Sequence, residues 1–273
     1  MWHGPKSTVD HSRESTAKPC DSVVRPAKGS HMRDCIFCGG RVSTKEHAFP
    51  QWILDRVGDV WVTTEVTFGA TGEHRRWIGR RRKAHARVRY LCVTCNGGWM
   101  SDLENRARPT LNAMMSDFTL RLDAAEQQLV AAWCIKTAMV FECTGPRGGW
   151  FYSDGERARF RSSLSLPEHT FVWLGRFQRS DQSVCEARRL YRPSGRTGEG
   201  YVTALQVARL VAQVLTIRQA PELAQAVRRD GLYLRLAWPI WTKSLRWPPS
   251  SSFSESRLEV INDRFIRPPN RSP

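Results

Sequence analysis

The residues best equipped for chemistry lie in one stretch of the chain. Cys35 and Cys38 form a Cys-x-x-Cys pair, and after 53 intervening residues Cys92 and Cys95 form a second. A turn of this spacing presents two thiolates side by side, and two such turns can converge tetrahedrally on one Zn²⁺. Gly39-Gly40 and Gly97-Gly98 follow the pairs directly. They suit tight knuckles, where positive φ is often needed. In a reducing compartment such pairs point to one structural zinc per chain more readily than to disulfides. A redox dithiol would account for one pair but not for both. Cys134, Cys143 and Cys185 are isolated and are expected in the core.

Between the pairs stands Glu46-His47, and directly after the last cysteine comes Asn96. A histidine near neutral pKa can activate a water. A carboxylate and an amide oxygen are hard donors suited to Mg²⁺ or Mn²⁺. A divalent ion beside an activated water is equipment for phosphodiester hydrolysis. Taken singly, His47 reads more readily as a structural histidine and Asn96 as a helix N-cap; together, inside a double knuckle on a basic chain, they point to the catalytic set. A zinc joining the ends of the long loop would bring the segment after Cys38 towards the segment after Cys95, and so His47 towards Asn96.

The same loop carries Arg75, Arg76, Arg80, Arg81, Arg82, Lys83, Arg87 and Arg89, with Trp77 among them and no acid between. Such a cluster can contact several phosphates, with salt-dependent and sequence-independent affinity. The alternative is a solvated loop. The whole chain agrees with a polyanionic partner: 42 Lys and Arg against 26 Asp and Glu give +16. Nucleic acid, DNA foremost, is the expected partner. No apolar run reaches about 18 residues, so no membrane span is expected. Without a secretory leader the protein reads as cytoplasmic.

These residues need elements to hold them. Alternation and β-branched content predict a strand over Val60–Phe68 and another over Ala86–Leu91, running into the second cysteine pair. A helix is expected to begin around Gly98. Further on, Ala124–Phe141 carries the row Leu129, Ala132, Trp133, Lys136, Ala138, Met139 and Val140 at helical spacing, with Asp123 and Glu126 at its start. Thr170–Phe177, Val184–Tyr191 and Leu232–Trp241 read as strands. Tyr201–Ile217 is ambiguous, its Val207, Leu210, Val211, Val214 and Leu215 fitting helix spacing while its β-branched content fits strand. Residues 1–31 read as a flexible tail, with Gly29-Ser30-His31-Met32 either a vector remnant or the mark of a natural start at Met32. Residues 246–273 read as a loose C-terminal tail.

The order Cys35-x-x-Cys38, Glu46-His47-x-x-Pro50, Cys92-x-x-Cys95-Asn96 resembles the zinc-containing branch of the HNH endonucleases, over residues 35 to about 104. The resemblance implies an α+β chain. Its ββα-metal HNH core with four-Cys zinc knuckles would span residues 32–108, followed by a mixed α+β domain over 109–245. It implies His47 as general base, Glu46 and Asn96 as ligands of a catalytic Mg²⁺ or Mn²⁺, and the four cysteines as holders of a separate structural zinc. One departure stands out. The family's middle Asn, a few residues before the third cysteine, is absent from Arg87-Val88-Arg89-Tyr90-Leu91. His85 or Arg87 is the available substitute, and Asp102 or Glu104 could supply a ligand from the helix. The departure keeps a second reading open: a non-catalytic zinc-stabilised nucleic-acid-binding protein.

Overall fold

The computed structural model describes residues 34–57, 61–68, 75–82, 87–144, 150–178, 184–191, 199–218 and 235–253. The N-terminal tail, Lys83, His85 and residues 254–273 fall outside these. The fold is mixed helix and sheet, α+β.

The N-terminal elements are β1 (Glu46–His47), α1 (Gln51–Val57), β2 (Trp61–Phe68), β3 (Arg75–Arg82) and β4 (Arg87–Val88). A short helix α2 (Val93–Cys95) runs through a π-helical turn, Asn96–Met100, into α3 (Ser101–Met115). The helix expected around Gly98 is therefore present, and residue 108 lies in its middle. β5 (Leu120–Leu122) and the long helix α4 (Ala124–Glu142) follow, then α5 (Asp154–Ser163). The remaining strands are β6 (Thr170–Phe177), β7 (Val184–Tyr191), β8 (Glu199–Val207), β9 (Leu210–Arg218), β10 (Arg235–Trp238), β11 (Leu245–Trp247) and β12 (Ser252–Phe253).

The eight-stranded sheet has the order β10-β6-β9-β8-β7-β2-β3, with β12 also pairing with β6. β2 joins β7 in parallel, whereas β8 and β9 form an antiparallel hairpin. The ambiguous 201–217 segment is thus two strands. β9 is buried from Leu210 to Ile217, on both faces. A strand buried on both sides shows no apolar–polar alternation, so its apolar residues match a helical template as well as a strand one.

α4 is the central helix. Every residue from Val130 to Glu142 is buried, so no polar face remains. Its start is an Asp123–Glu126 capping box. The Asp123 carboxylate accepts from the Glu126 N–H at 2.8 Å, and the Glu126 carboxylate accepts from the Asp123 N–H at 3.0 Å. Asp123→Ala removes one of these bonds and frees an end-of-helix N–H. A loss of about 1 kcal/mol in urea unfolding is expected. Lys136, buried within α4, donates to Glu104 of α3 at 2.6 Å. The charge that interrupts the apolar row is therefore neutralised across the helix pair.

One hydrophobic core runs from Cys35, Ile36 and Phe37 through α3 and α4 to β6, β8, β9, β10 and β11. Phe49 meets Phe141 of α4 edge-on, with centroids 4.6 Å apart. Residues 246–253 are not loose, as the sequence suggests. Trp247 is fully buried, and β11 pairs with β5. Among the described residues no helix is long and apolar enough to cross a membrane.

Candidate metal centre

The first knuckle is built by its backbone. The Cys35 N–H donates to the Gly40 carbonyl at 2.7 Å, and the Gly39 N–H to the Cys35 carbonyl at 2.8 Å. Gly39 has φ +69°, the left-handed conformation that glycine adopts without strain. The Gly40 N–H then reaches the Cys38 Sγ at 3.4 Å. In the second knuckle Cys92 caps α2, its Sγ accepting from the Cys95 N–H at 3.3 Å. The expected glycine role fails here. Neither Gly97 nor Gly98 has positive φ, and Gly98 departs from helix at φ −97°, ψ −115° inside the π-helical turn.

Several bonds tie the two knuckles together. The Ile36 N–H donates to the Tyr90 carbonyl at 3.0 Å. The Leu91 carbonyl accepts from the Thr44 N–H at 3.2 Å and from the Thr44 hydroxyl at 2.9 Å. The Val93 N–H donates to the Ser43 hydroxyl at 2.9 Å. β1 pairs antiparallel with β4, setting Glu46 opposite Val88 and His47 opposite Arg87. Ser43 and Thr44 are therefore positioning residues. Their sequence signal is only a polar pair just before Glu46-His47.

The four sulfurs of Cys35, Cys38, Cys92 and Cys95 lie within 4.8 Å of one another. The Cys38 and Cys92 Sγ atoms are 3.5 Å apart. Four thiolates at about 2.3 Å from one zinc are separated by roughly 3.8 Å, so the arrangement fits a tetrahedral ion. The protonation pattern agrees with this donor set. A hydrogen bond from Cys95 holds the Cys35 thiol down to about 4. The same contact, with burial, raises Cys95, while burial pushes Cys38 up to about 11. Thiolates this close oppose one another's ionisation, and a bound divalent cation relieves that repulsion. This four-cysteine group can hold a metal such as zinc. Among the described residues it is the sole cluster of His, Cys, Asp or Glu with metal-ligand spacing. No family model, curated protein or solved structure matches the chain.

The other expected site residues sit around this frame. Glu46 and His47 are half-buried on β1. Asn96 is half-buried at the first position of the π-helical turn. It is not an N-cap: α2 precedes it, and its N–H donates to the Cys92 carbonyl at 3.0 Å. Asp102 is exposed in the first turn of α3, and Glu104 is engaged by Lys136. Arg87 and Arg89 are exposed beside the second knuckle. Arg75, Arg76, Arg80, Arg81 and Arg82 lie on β3, the edge strand beyond β2, with Arg80 opposite Thr63 and Arg82 opposite Trp61. That basic run is therefore strand rather than loop, and its sheet is separate from the β1–β4 pair.

Proposed function

We propose that this chain is a metal-dependent HNH-type endonuclease that hydrolyses phosphodiester bonds in DNA, its local frame set by one zinc on Cys35, Cys38, Cys92 and Cys95. One observation carries the reading. The convergent sulfurs and the β1–β4 pair join the strand bearing Glu46 and His47 to the segment that leads through Cys92 into Asn96. Strand, strand, then a helical segment, residues 93–115, that carries Asn96 resembles the order that the HNH family implies, and it supports this assignment.

In this reading His47 takes a proton from the attacking water. Glu46 and Asn96 offer a carboxylate and an amide oxygen to a divalent ion. When bound, Mg²⁺ or Mn²⁺ supplies charge stabilisation for the phosphate and the leaving oxygen. Arg87 and Arg89 flank the knuckle as phosphate contacts, and Arg75, Arg76, Arg80, Arg81 and Arg82 add basic charge along β3.

Plasmid nicking tests the assignment. His47→Ala is expected to lower the Mg²⁺- or Mn²⁺-dependent rate by about 10²–10⁴-fold, the usual contribution of a positioned acid or base. Its zinc content and melting should stay those of the native chain. Equal nicking by both proteins sinks the proposal. One observation favours a non-catalytic DNA-binding module instead: Arg87, not Asn, faces His47 across the pair. Salt-sensitive DNA binding without cleavage under any divalent ion would select that reading.

A further inference from the structure

The small sheet of β5 and β11 carries two arginines face to face. Its antiparallel register sets Arg121 opposite Arg246. Both are exposed, while Leu122 beside the first and Leu245 and Trp247 beside the second are buried. The two guanidiniums therefore share the solvent face of the ribbon. Like charges directly opposite in such a pair are destabilising. The acids nearest to Arg121 in sequence are engaged elsewhere. Asp117 accepts from Arg176 at 2.7 Å, and Asp123 and Glu126 serve the capping box of α4. Among the described residues neither arginine pairs with a carboxylate.

The segment leading into β11 adds an aromatic face. Residues 240–244 are all exposed, Trp241 at 71%, and Lys243 stands between that ring and the strand. The segment is tied down by Gln127 of α4, which is fully buried. Its side-chain amide donates to the Thr242 carbonyl at 3.1 Å and to the Leu122 carbonyl at 3.0 Å. The residue after Trp241 is thereby fixed at the end of β5, one position beyond Arg121. A solvated indole next to cations without counter-ions matches a single strand, which offers unpaired base faces along with its phosphates. A duplex keeps its base faces stacked on one another.

We propose that the β5–β11 ribbon is a binding surface for single-stranded DNA, with Arg121, Arg246 and Lys243 on phosphates and Trp241 stacked on a base. This sheet is separate from the β1–β4 pair that carries Glu46 and His47. The inference takes from the proposed function only that the polyanion is DNA.

The test is fluorescence anisotropy of the full chain with labelled oligo-dT across a salt series. Arg121→Ala with Arg246→Ala should weaken binding by about tenfold near 0.1 M salt and make the slope of log affinity against log salt shallower by about 1.4, two contacts at about 0.7 each. The variant loses a repulsive pair and should melt no lower than the native chain. Trp241→Ala should weaken binding by about 5–150-fold with the salt slope unchanged, because the ring carries no charge. Trp241→Phe should recover part of that loss. Native-like affinity in either the arginine double variant or Trp241→Ala overturns the proposal. So does tighter native binding of oligo-U than of oligo-dT, or a Trp241→Ala loss for duplex DNA or polyglutamate as steep as that for oligo-dT. A native chain whose oligo-dT binding needs these residues, but which nicks no plasmid, upholds this surface and defeats the nuclease reading. A chain that nicks while the ribbon variants bind like native does the reverse.

Discussion

Cys95→Ser is expected to bind less than a tenth of the zinc held by the native chain, where metal analysis should give one ion, and to lose the fold around both knuckles. Cys95 is fully buried and belongs to the common core. A serine hydroxyl does not ionise near neutral pH and is a hard, weak donor for Zn²⁺. Structural zinc contributes roughly 10–16 kcal/mol of apparent binding energy in small metal-tied peptides. A domain's whole stability is about 5–15 kcal/mol, so forfeiting a fraction of the first can exhaust the second. The damage should spread, because Phe37 and Phe49 from this region pack against Trp99 and Phe141. Chelation of the native protein should reproduce the mutant's loss of melting cooperativity. Lowering the pH should release zinc progressively, since protons compete for the four thiolates and affinity falls with acid. A variant that melts with the native chain, zinc-free, would refute a structural role for the metal.

The second large effect is expected at Arg157, far in sequence from the cysteines. Arg157 is fully buried and pairs with Glu142, which is 3% exposed. Its guanidinium also donates to the Met139 carbonyl at 3.1 Å, to the Tyr152 carbonyl at 3.2 Å and to the Cys143 Sγ at 3.4 Å. It lies 5.1 Å from the centre of the Trp150 ring. Glu142 in turn accepts from the N–H groups of Phe151 and Tyr152. The pair therefore closes residues 150–157 back onto the C-terminal end of α4. Arg157→Ala strands a buried carboxylate and takes a donor from the Tyr152 and Met139 carbonyls, and a loss of about 3–5 kcal/mol is expected. Replacing both partners by apolar residues, Arg157→Met with Glu142→Leu, should cost less than Arg157→Ala alone, because no charge is left without its counter-ion. Urea denaturation of the three proteins decides it. A single variant as stable as the native chain would show that the pair does not hold this corner.

Next to this pair, Tyr152 reaches the sheet. Its hydroxyl lies 3.0 Å from the Thr216 hydroxyl, which lies 2.9 Å from that of Thr170. Burial raises the Tyr152 pKa, so the phenol stays protonated and available to this chain of hydroxyls. None of this was legible in the sequence. Glu142 and Arg157 look like ordinary surface charges at the end of one helix and inside another. Only the packing of α4 against the following segment removes both from water and makes each the other's requirement.

The metal centre is the opposite case. A Cys-x-x-Cys turn holds its two sulfurs together by local backbone geometry, so the donor set can be read from spacing before any tertiary contact is known. The capping box at Asp123 and Glu126 is legible for the same reason, its partners being three residues apart. The 201–217 hairpin was not, because burial of both strand faces erases the alternation that identifies a strand. Nor was the edge position of Arg75–Arg82, which depends on β2 joining β7 in parallel.

By itself, then, the sequence determined which atoms can bind a metal, where the chain reverses to present them, and that Glu46, His47 and Asn96 flank them. The tertiary structure alone decided what surrounds those atoms. It drew Thr44 onto Leu91, set His47 opposite Arg87, gave Glu104 to Lys136 and packed Trp99 against Phe37 and Phe160. The division follows from the range of the forces. Ligand spacing and caps act within one turn of chain, whereas burial, which gives a charge its need for a partner, exists only once distant segments exclude water together.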